Sequence, residues 1–237
     1  MQFSPPRWFA HRGGGSLAPE NTLAGIRLAA RLGFKAVEFD VMLSGDGTPV
    51  LIHDETLERT TNGRGLVAET PDSLLFSLNA GNGERIPRFS EAAALCRQLG
   101  LLANIEIKPA AGYEEQTAKV VAALTVQLWQ GASVQPLISS LSPLAIEIAR
   151  DLAPAIPRGL LFEAVPADWQ AQLAGLGGIS LHCDAMLLTD TVLAEARAAG
   201  IPVLCYTVND SEQAKSLFGR GVSGLFTDRL DLNSPLS

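Results

Sequence analysis

Short runs of apolar and β-branched residues alternate along the chain with stretches of helical periodicity. The runs predict eight strands, at Trp8–His11, Ala36–Met42, Ala103–Lys108, Pro136–Ser139, Arg158–Phe162, Ile179–His182, Pro202–Thr207 and Ser223–Thr227. Strands that alternate with helices favour an α/β fold built on a parallel sheet. We therefore predict a (β/α)8 TIM barrel, with a doubly wound sheet as the alternative.

Two of the helical stretches carry signals for their ends. A helix is predicted over Thr22–Leu32, with Asn21 as its N-cap and Gly33 directly after its C-terminus. A second helix is predicted over Thr191–Ala199 and ends at Gly200. Both helices have the apolar periodicity of an element that packs on a sheet.

Residues 44–90 interrupt the alternation, because they contain no convincing crossover helix. Gly45–Gly47 predicts a turn into an extra strand at Pro49–His53, which would form a hairpin with the second strand. A long irregular segment in an α/β fold is usually functional or forms a small subdomain. We expect a small insertion after the second strand, lying over the C-terminal mouth of a single domain that spans residues 1–237.

Composition and charge exclude several classes of protein. Of the 237 residues, 47% are hydrophobic and 18% are charged, and the net charge is −7. This composition excludes a disordered chain and argues against nucleic-acid or anionic-membrane partners. No apolar run reaches the roughly 18 residues of a membrane span, and the N-terminus lacks the apolar region of a signal peptide. Three scattered cysteines, Cys96, Cys183 and Cys205, are typical of a reducing cytoplasm.

Carboxylates share one face of two predicted strands. Glu38 and Asp40 alternate with apolar residues in the second strand, and Asn104, Glu106 and Lys108 do so in the third. In a barrel the apolar face packs on the helices, so the charged face must point inward, where an unpaired charge is costly. A hard divalent cation would satisfy the three carboxylates. An internal ion-pair network that includes Lys108 is the alternative.

The three histidines of the chain, His11, His53 and His182, each end a predicted strand. Active sites of barrels lie at these ends, although a histidine at the rim can also be purely structural. Asp54 follows His53 and either orients its imidazole or forms a turn. The hypothesis of an active site is strongest for His11 and His53, which have polar neighbours.

Three further features have two interpretations each. The run Gly13–Gly15 after Arg12 could bring backbone amides to an anion, or form a tight turn. Thr227 and Asp228 could bind phosphate or cap a helix. Tyr206 could stack on a ligand or cover the barrel mouth.

Short motifs spread along the chain resemble those of the glycerophosphodiester phosphodiesterases, in particular the bacterial cytoplasmic branch. They are AHRGGG…APENT at 10–22, EFD at 38–40, the Asp46–Asp54 segment, LERTTNG at 57–63, NIEIKP at 104–109, YTVN at 206–209 and FTD at 226–228. The order and spacing of these motifs are specific. The resemblance implies a (β/α)8 barrel and hydrolysis of a small glycerophosphodiester to glycerol 3-phosphate and an alcohol.

The same resemblance implies roles for individual residues. Glu38, Asp40 and Glu106 would bind one divalent cation, Mg²⁺ or Ca²⁺, and His11 and His53 would form the general acid/base pair. The residues implied to contact substrate are Arg12, Lys108, Tyr206 and His182. Tyr206 stands where many relatives have Trp, and the resemblance implies supporting roles for Asn21 and Glu20.

Two other functions are alternatives to this one. A Schiff-base aldolase with Lys108 as nucleophile would explain a lysine at a strand end, but leaves the three carboxylates unexplained. A non-catalytic protein that binds a phosphorylated polyol would use Arg12 and Lys108, but has no need of two histidines beside the same site.

Overall fold

The computed structural model describes residues 3–233 of the chain. In it, the alternating strands and helices form a closed barrel. Residues 1–2 and 234–237 of the expected domain lie outside the described part, so the extent of that domain stays a prediction. The strands are β1 (Trp8–Ala10), β2 (Ala36–Leu43), β3 (Pro49–Leu51), β4 (Leu102–Ile107), β5 (Leu137–Ser140), β6 (Arg158–Phe162), β7 (Ser180–Asp184), β8 (Val203–Tyr206) and β9 (Gly224–Thr227).

The order of the strands confirms the TIM barrel. Eight strands pair in parallel in the order β1-β2-β4-β5-β6-β7-β8-β9, and β9 pairs again with β1. This last pairing, with Phe9 opposite Phe226, closes the sheet and excludes the doubly wound alternative. All C-terminal strand ends therefore meet at one mouth, where barrel enzymes place their active sites.

The long helices surround this barrel, and one short helix, the second in the chain, lies in the insertion. They are α1 (Leu23–Arg31), α2 (Asp72–Leu75), α3 (Phe89–Leu99), α4 (Glu114–Leu128), α5 (Pro143–Leu152), α6 (Trp169–Gly175), α7 (Asp190–Ala199) and α8 (Ser211–Arg220). The outward-facing strand residues Phe39, Val41, Ile105 and Ile107 are fully buried in the core between the sheet and these helices. The prediction that the apolar residues of β2 and β4 face the helices is thus confirmed.

One predicted helix cap is wrong. The N-cap of α1 is Thr22, whose side chain accepts a hydrogen bond from the backbone N–H of Gly25, and not Asn21. Asn21 has a positive φ of 55° and turns its side chain toward Asp40 instead. The predicted C-terminal ends are confirmed, because Gly33 follows the C-cap Leu32 of α1 and α7 ends at Gly200.

The insertion follows β2, as predicted. Strand β3 runs antiparallel to β2 and forms the expected hairpin, and α3 then provides the crossover to β4. The insertion has an apolar cluster of its own, which contains Leu57, Val67 and Leu75. This cluster gives the irregular segment a fixed position beside the barrel mouth.

Among residues 3–233, no helix has the length and apolar character needed to cross a membrane.

Candidate active site at the barrel mouth

A cavity of about 620 Å³ opens at the C-terminal ends of the strands. It has a charged side, formed by the residues after β1, by β2 and β4 and by the insertion, and a more apolar side, formed by residues of β5 to β9 and the loops after them. The lining residues include His11, Arg12, Glu38, Asp40, His53, Asn104, Glu106, Lys108, Leu141, Leu161, Glu163, Asp184, Leu187, Tyr206 and Phe226. Nearly all predicted site residues therefore face one space.

Three carboxylates meet on the charged side. Glu38 and Asp40 lie on β2, and Glu106 is paired with Asp40 across the β2–β4 ladder. One oxygen from each lies within 4.8 Å of the others, a group that could hold a metal ion. Burial raises the pKa of Glu38 well above its ordinary value, and the charges of Asp40 and Glu106 add to this. Burial and the charge of Asp40 likewise raise the pKa of Glu106 to about 8.

The carboxylates fit a hard cation by their chemistry. Oε1 of Glu38 is buried and has no hydrogen-bond partner in the described structure, whereas its Oε2 accepts a hydrogen bond from the backbone N–H of Arg12 at 2.9 Å. An unpaired anionic oxygen in a buried site needs a compensating positive charge. Oxygen ligands of this kind are those that Mg²⁺ and Ca²⁺ prefer.

Two cationic side chains flank Asp40. Nε of Arg12 lies 3.8 Å from Oδ2 of Asp40, and Nζ of Lys108 lies 3.7 Å from its Oδ1. The side chain of Asn21 donates a hydrogen bond to Asp40 Oδ2 at 2.8 Å, and its Oδ1 accepts one from the backbone of Asp40. The Nε of Arg12 is buried without a hydrogen-bond partner among the described residues, and the residue itself lines the cavity.

Each cavity histidine is held by a carboxylate at one ring nitrogen. Nδ1 of His11 lies 2.7 Å from Oδ1 of Asp228, and Nδ1 of His53 lies 2.6 Å from Oδ1 of Asp54. Nε2 of His53 contacts the ammonium group of Lys108, so this nitrogen is the acceptor and Nδ1 carries the proton. Burial lowers the pKa of His53 below its ordinary value of 6.5. The orienting role considered for Asp54 is therefore favoured over a plain turn.

The glycine run forms a tight turn and does not present free amides. The backbone N–H groups of Gly13, Gly14 and Gly15 donate to carbonyl oxygens of the protein, as does that of Ser16. A Cβ on Gly14 would lie 2.7 Å from the Cβ of Ala18, so no larger residue fits without displacement. The interpretation of this loop as an anion-binding turn is not supported.

Tyr206 lies on the apolar side of the cavity. Its hydroxyl donates a hydrogen bond to the carbonyl of Phe162 at 2.9 Å, and burial raises its pKa. The hydroxyl is thus fixed in place, while the ring faces the cavity together with Leu161 and Leu187.

His182 is the one predicted site residue that the structure does not bring to the cavity. Its side chain is fully buried inside the barrel, where Nε2 lies 2.9 Å from Oγ of Ser180 and the ring packs on Phe226. Burial lowers its pKa to about 3, so it is a neutral core histidine. This position gives no surface for a substrate, and His182 takes no part in the function proposed below.

Sequence analysis missed the partner of His11. The sequence suggests only a phosphate ligand or a helix cap at Asp228. In the structure, its side chain is hydrogen-bonded to Nδ1 of His11 and also accepts a hydrogen bond from Asn209 at 2.8 Å. No local pattern joins two residues 217 positions apart. Only the closure of the barrel, which makes β1 and β9 neighbours, could have indicated the contact.

Comparison with known proteins agrees with this geometry. The model of the glycerophosphoryl diester phosphodiesterase family matches residues 11–232. The chain is 32% identical to a glycerophosphodiester phosphodiesterase of Caldanaerobacter subterraneus subsp. tengcongensis, over 92% of both chains.

Solved structures give the same result. An Oleispira antarctica phosphodiesterase in complex with the product sn-glycerol-3-phosphate is 38% identical, with a TM-score of 0.91 over 98% of this chain and 96% of that one. A glycerophosphodiester phosphodiesterase of Agrobacterium tumefaciens is 27% identical, with a TM-score of 0.81 over 95% and 97% of the two chains. The chain belongs to the glycerophosphoryl diester phosphodiesterase family.

Proposed function

We propose that the protein hydrolyses glycerophosphodiesters to glycerol 3-phosphate and an alcohol with one divalent cation, Mg²⁺ or Ca²⁺, held by Glu38, Asp40 and Glu106. The reaction class follows from the family, because its members are glycerophosphodiester phosphodiesterases. The single observation that carries the cation is the group of three converging carboxylates with an unpaired oxygen on Glu38. When bound, the cation would offset the negative charge that builds on the phosphoryl oxygens.

Arg12 and Lys108 would bind the phosphate beside that cation. Both side chains line the cavity, and each approaches a different carboxylate oxygen of Asp40. Donors fixed in a partly buried site stabilise developing charge more than donors in water, because they need no reorganisation. Asn21 would hold Asp40 in place through its two hydrogen bonds.

His11 and His53 would move the protons of the reaction. One imidazole takes the proton of the attacking oxygen, either water or the glycerol 2-hydroxyl, and the other donates a proton to the leaving alkoxide. Attack by the 2-hydroxyl would give a cyclic phosphate, which water must then open to yield glycerol 3-phosphate. The lowered pKa of His53 keeps its Nε2 unprotonated at neutral pH, which suits a proton acceptor. Asp54 and Asp228 would orient the two rings through their Nδ1 atoms.

The apolar side of the cavity would receive the carbon skeleton of the substrate. Tyr206 would contact it through its ring, since the hydroxyl is already bonded to Phe162. The substrate is a small molecule, and the net charge of −7 supports our expectation of no nucleic-acid or membrane partner. The cytoplasmic location stays a prediction from cysteine usage.

Neither alternative function accounts for the site as well. A Schiff-base aldolase needs a neutral amine as its nucleophile and gives no role to the three carboxylates that converge beside Lys108. A binding protein has no need of two histidines that each have a carboxylate on Nδ1.

Product identity tests the proposed reaction. Incubation with glycerophosphocholine and Mg²⁺ or Ca²⁺ should release glycerol 3-phosphate and choline in equal amounts, which enzymatic assays or phosphorus NMR can measure. Release of glycerol and phosphocholine would mean that the other ester bond is cleaved, and would contradict the proposal.

The carboxylate cluster also predicts a pH-dependent effect of metal on stability. The pKa of Glu106 is raised from 4.5 to about 8, so the folded metal-free protein keeps a proton that the unfolded chain releases. The stability due to this proton is fully present below pH 4.5 and is lost as the pH rises toward 8. A cation replaces the proton, so the gain in Tm on adding saturating Mg²⁺ or Ca²⁺ to metal-free protein should increase from pH 5 to pH 8. A gain that stays constant or falls over this range would contradict the assignment.

A further inference from the structure

The motif LERTTNG contains a residue that the proposed mechanism does not use. Arg59 does not line the cavity among the described residues, and its side chain is 47% exposed. Its guanidinium group nevertheless makes four hydrogen bonds, two to each of two carboxylates. A lone exposed ion pair contributes little, but a guanidinium that is bidentate to two carboxylates fixes their geometry.

The first carboxylate belongs to Asp54 in the insertion. Nε of Arg59 donates to its Oδ2 at 2.6 Å, and Nη2 donates to its Oδ1 at 2.9 Å. The same Oδ1 lies 2.6 Å from Nδ1 of His53. The hydrogen bonds from Arg59 hold the pKa of Asp54 well below its ordinary value, so the carboxylate next to Nδ1 of His53 is ionised.

The second carboxylate belongs to Glu20, in the loop between β1 and α1. Nη1 and Nη2 of Arg59 donate to its two oxygens at 2.7 and 2.8 Å. Oε1 of Glu20 also accepts a hydrogen bond from Nη1 of Arg12 at 3.0 Å. Glu20 therefore orients the guanidinium group of Arg12, which would bind the phosphate.

The backbone around Arg59 is itself well anchored. Leu57 is fully buried in the apolar cluster of the insertion, and its N–H donates to the carbonyl of Gly65. The hydroxyl of Thr61 donates to the carbonyl of Leu57 at 2.7 Å and accepts a hydrogen bond from Gly63 at 2.9 Å. These contacts explain the small and polar residues of the motif, which present Arg59 from a rigid turn.

We propose that Arg59 is a positioning residue that joins the insertion to the barrel and sets the distance between His53 and Arg12. The chain of contacts runs from His53 through Asp54, Arg59 and Glu20 to Arg12 without a gap. One end would hold the proton-transfer group, and the other would hold a phosphate contact. Lysine cannot replace this guanidinium, because a single ammonium cannot be bidentate to both carboxylates.

The inference rests on the proposed function and predicts a distinct kinetic pattern. With glycerophosphocholine at saturating metal, Asp54→Asn should lower kcat and Glu20→Gln should raise KM. Arg59→Gln should do both, with kcat/KM reduced on the order of 100-fold, as a displacement of about 1 Å at a reacting group can cause. Arg59→Lys should give an intermediate loss. The control Arg64→Gln removes another exposed arginine of the insertion and should leave both constants unchanged.

Coupling and hydrogen exchange complete the test. Because Arg59 acts on Arg12 through Glu20, the double variant Arg59→Gln/Glu20→Gln should show no further rise in KM beyond that of Glu20→Gln. Backbone amides of residues 54–66 should exchange faster in Arg59→Gln than in the wild type and in Arg64→Gln.

Two results would overturn the role of Arg59. One is wild-type kcat and KM in Arg59→Lys or Arg59→Gln, and the other is unchanged exchange of residues 54–66. Arg59→Lys keeps the charge and so decides the matter if Arg59→Gln fails to fold. A wild type that releases no glycerol 3-phosphate would overturn the proposed function instead, since hydrogen exchange detects the docking of the insertion without turnover.

Discussion

Replacement of His11 or His53 by alanine is expected to lower kcat by about 10²–10⁴-fold with the fold intact, the usual loss for a general acid or base. Both side chains line the cavity and both have Nδ1 hydrogen-bonded to a carboxylate, so Nε2 is the nitrogen that would exchange a proton with the substrate; in His53 this nitrogen also contacts Lys108. Neither side chain belongs to the buried core, so the loss should appear in turnover and not in Tm. Steady-state kinetics with glycerophosphocholine at saturating metal measure the effect.

His182→Asn is the matched control for these variants. His182 is fully buried against Ser180 and Phe226 and lies outside the cavity, so its replacement should lower Tm while the folded protein keeps kcat within a few-fold. Turnover near that of the wild type in His11→Ala or His53→Ala would remove that histidine from the mechanism.

Glu106→Gln is expected to weaken metal binding by at least about 10-fold and to lower kcat/KM accordingly at limiting metal, since loss of even a partner of a metal ligand typically costs about 10–100-fold. The substitution keeps the shape of the side chain but removes one of three negative charges that lie within 4.8 Å of each other. Because burial and Asp40 raise the pKa of Glu106, its charge in the fold depends on a nearby cation. Calorimetric titration with Mg²⁺ and Ca²⁺ measures the affinity directly.

Glu163→Gln provides the control for a general effect of negative charge. Glu163 also lines the cavity, but it stands outside the carboxylate group of β2 and β4. Its replacement should leave the metal affinity unchanged. Equal affinity for metal in Glu106→Gln and the wild type would show that Glu106 is not a ligand.

The part of the site on β2 and β4 could be predicted because side chains of a strand alternate by a fixed rule. Phe39 and Ile105 identify the face that packs on helices, so Glu38, Asp40 and Glu106 must share the other face. The pairing of Asp40 with Glu106 in the barrel is the direct consequence of this rule.

The contacts that hold the site together could not be predicted in this way. His11 meets Asp228, and Arg59 meets Glu20 across 39 positions, only because the barrel closes and the insertion docks on it. The sequence also gives no indication that His182 is buried, since a histidine near the end of a strand can face either the barrel mouth or the barrel interior. Tertiary packing decides these cases, and local pattern carries little information about it.

The proposed mechanism depends most on one cation held by the three carboxylates, and its direct test is a metal titration of stripped protein. The protein is treated with chelator, shown by elemental analysis to hold no metal, and assayed for release of glycerol 3-phosphate from glycerophosphocholine. We expect no release before metal is added, and full activity once about one Mg²⁺ or Ca²⁺ is bound per chain. Full activity in protein that holds no metal would contradict the account.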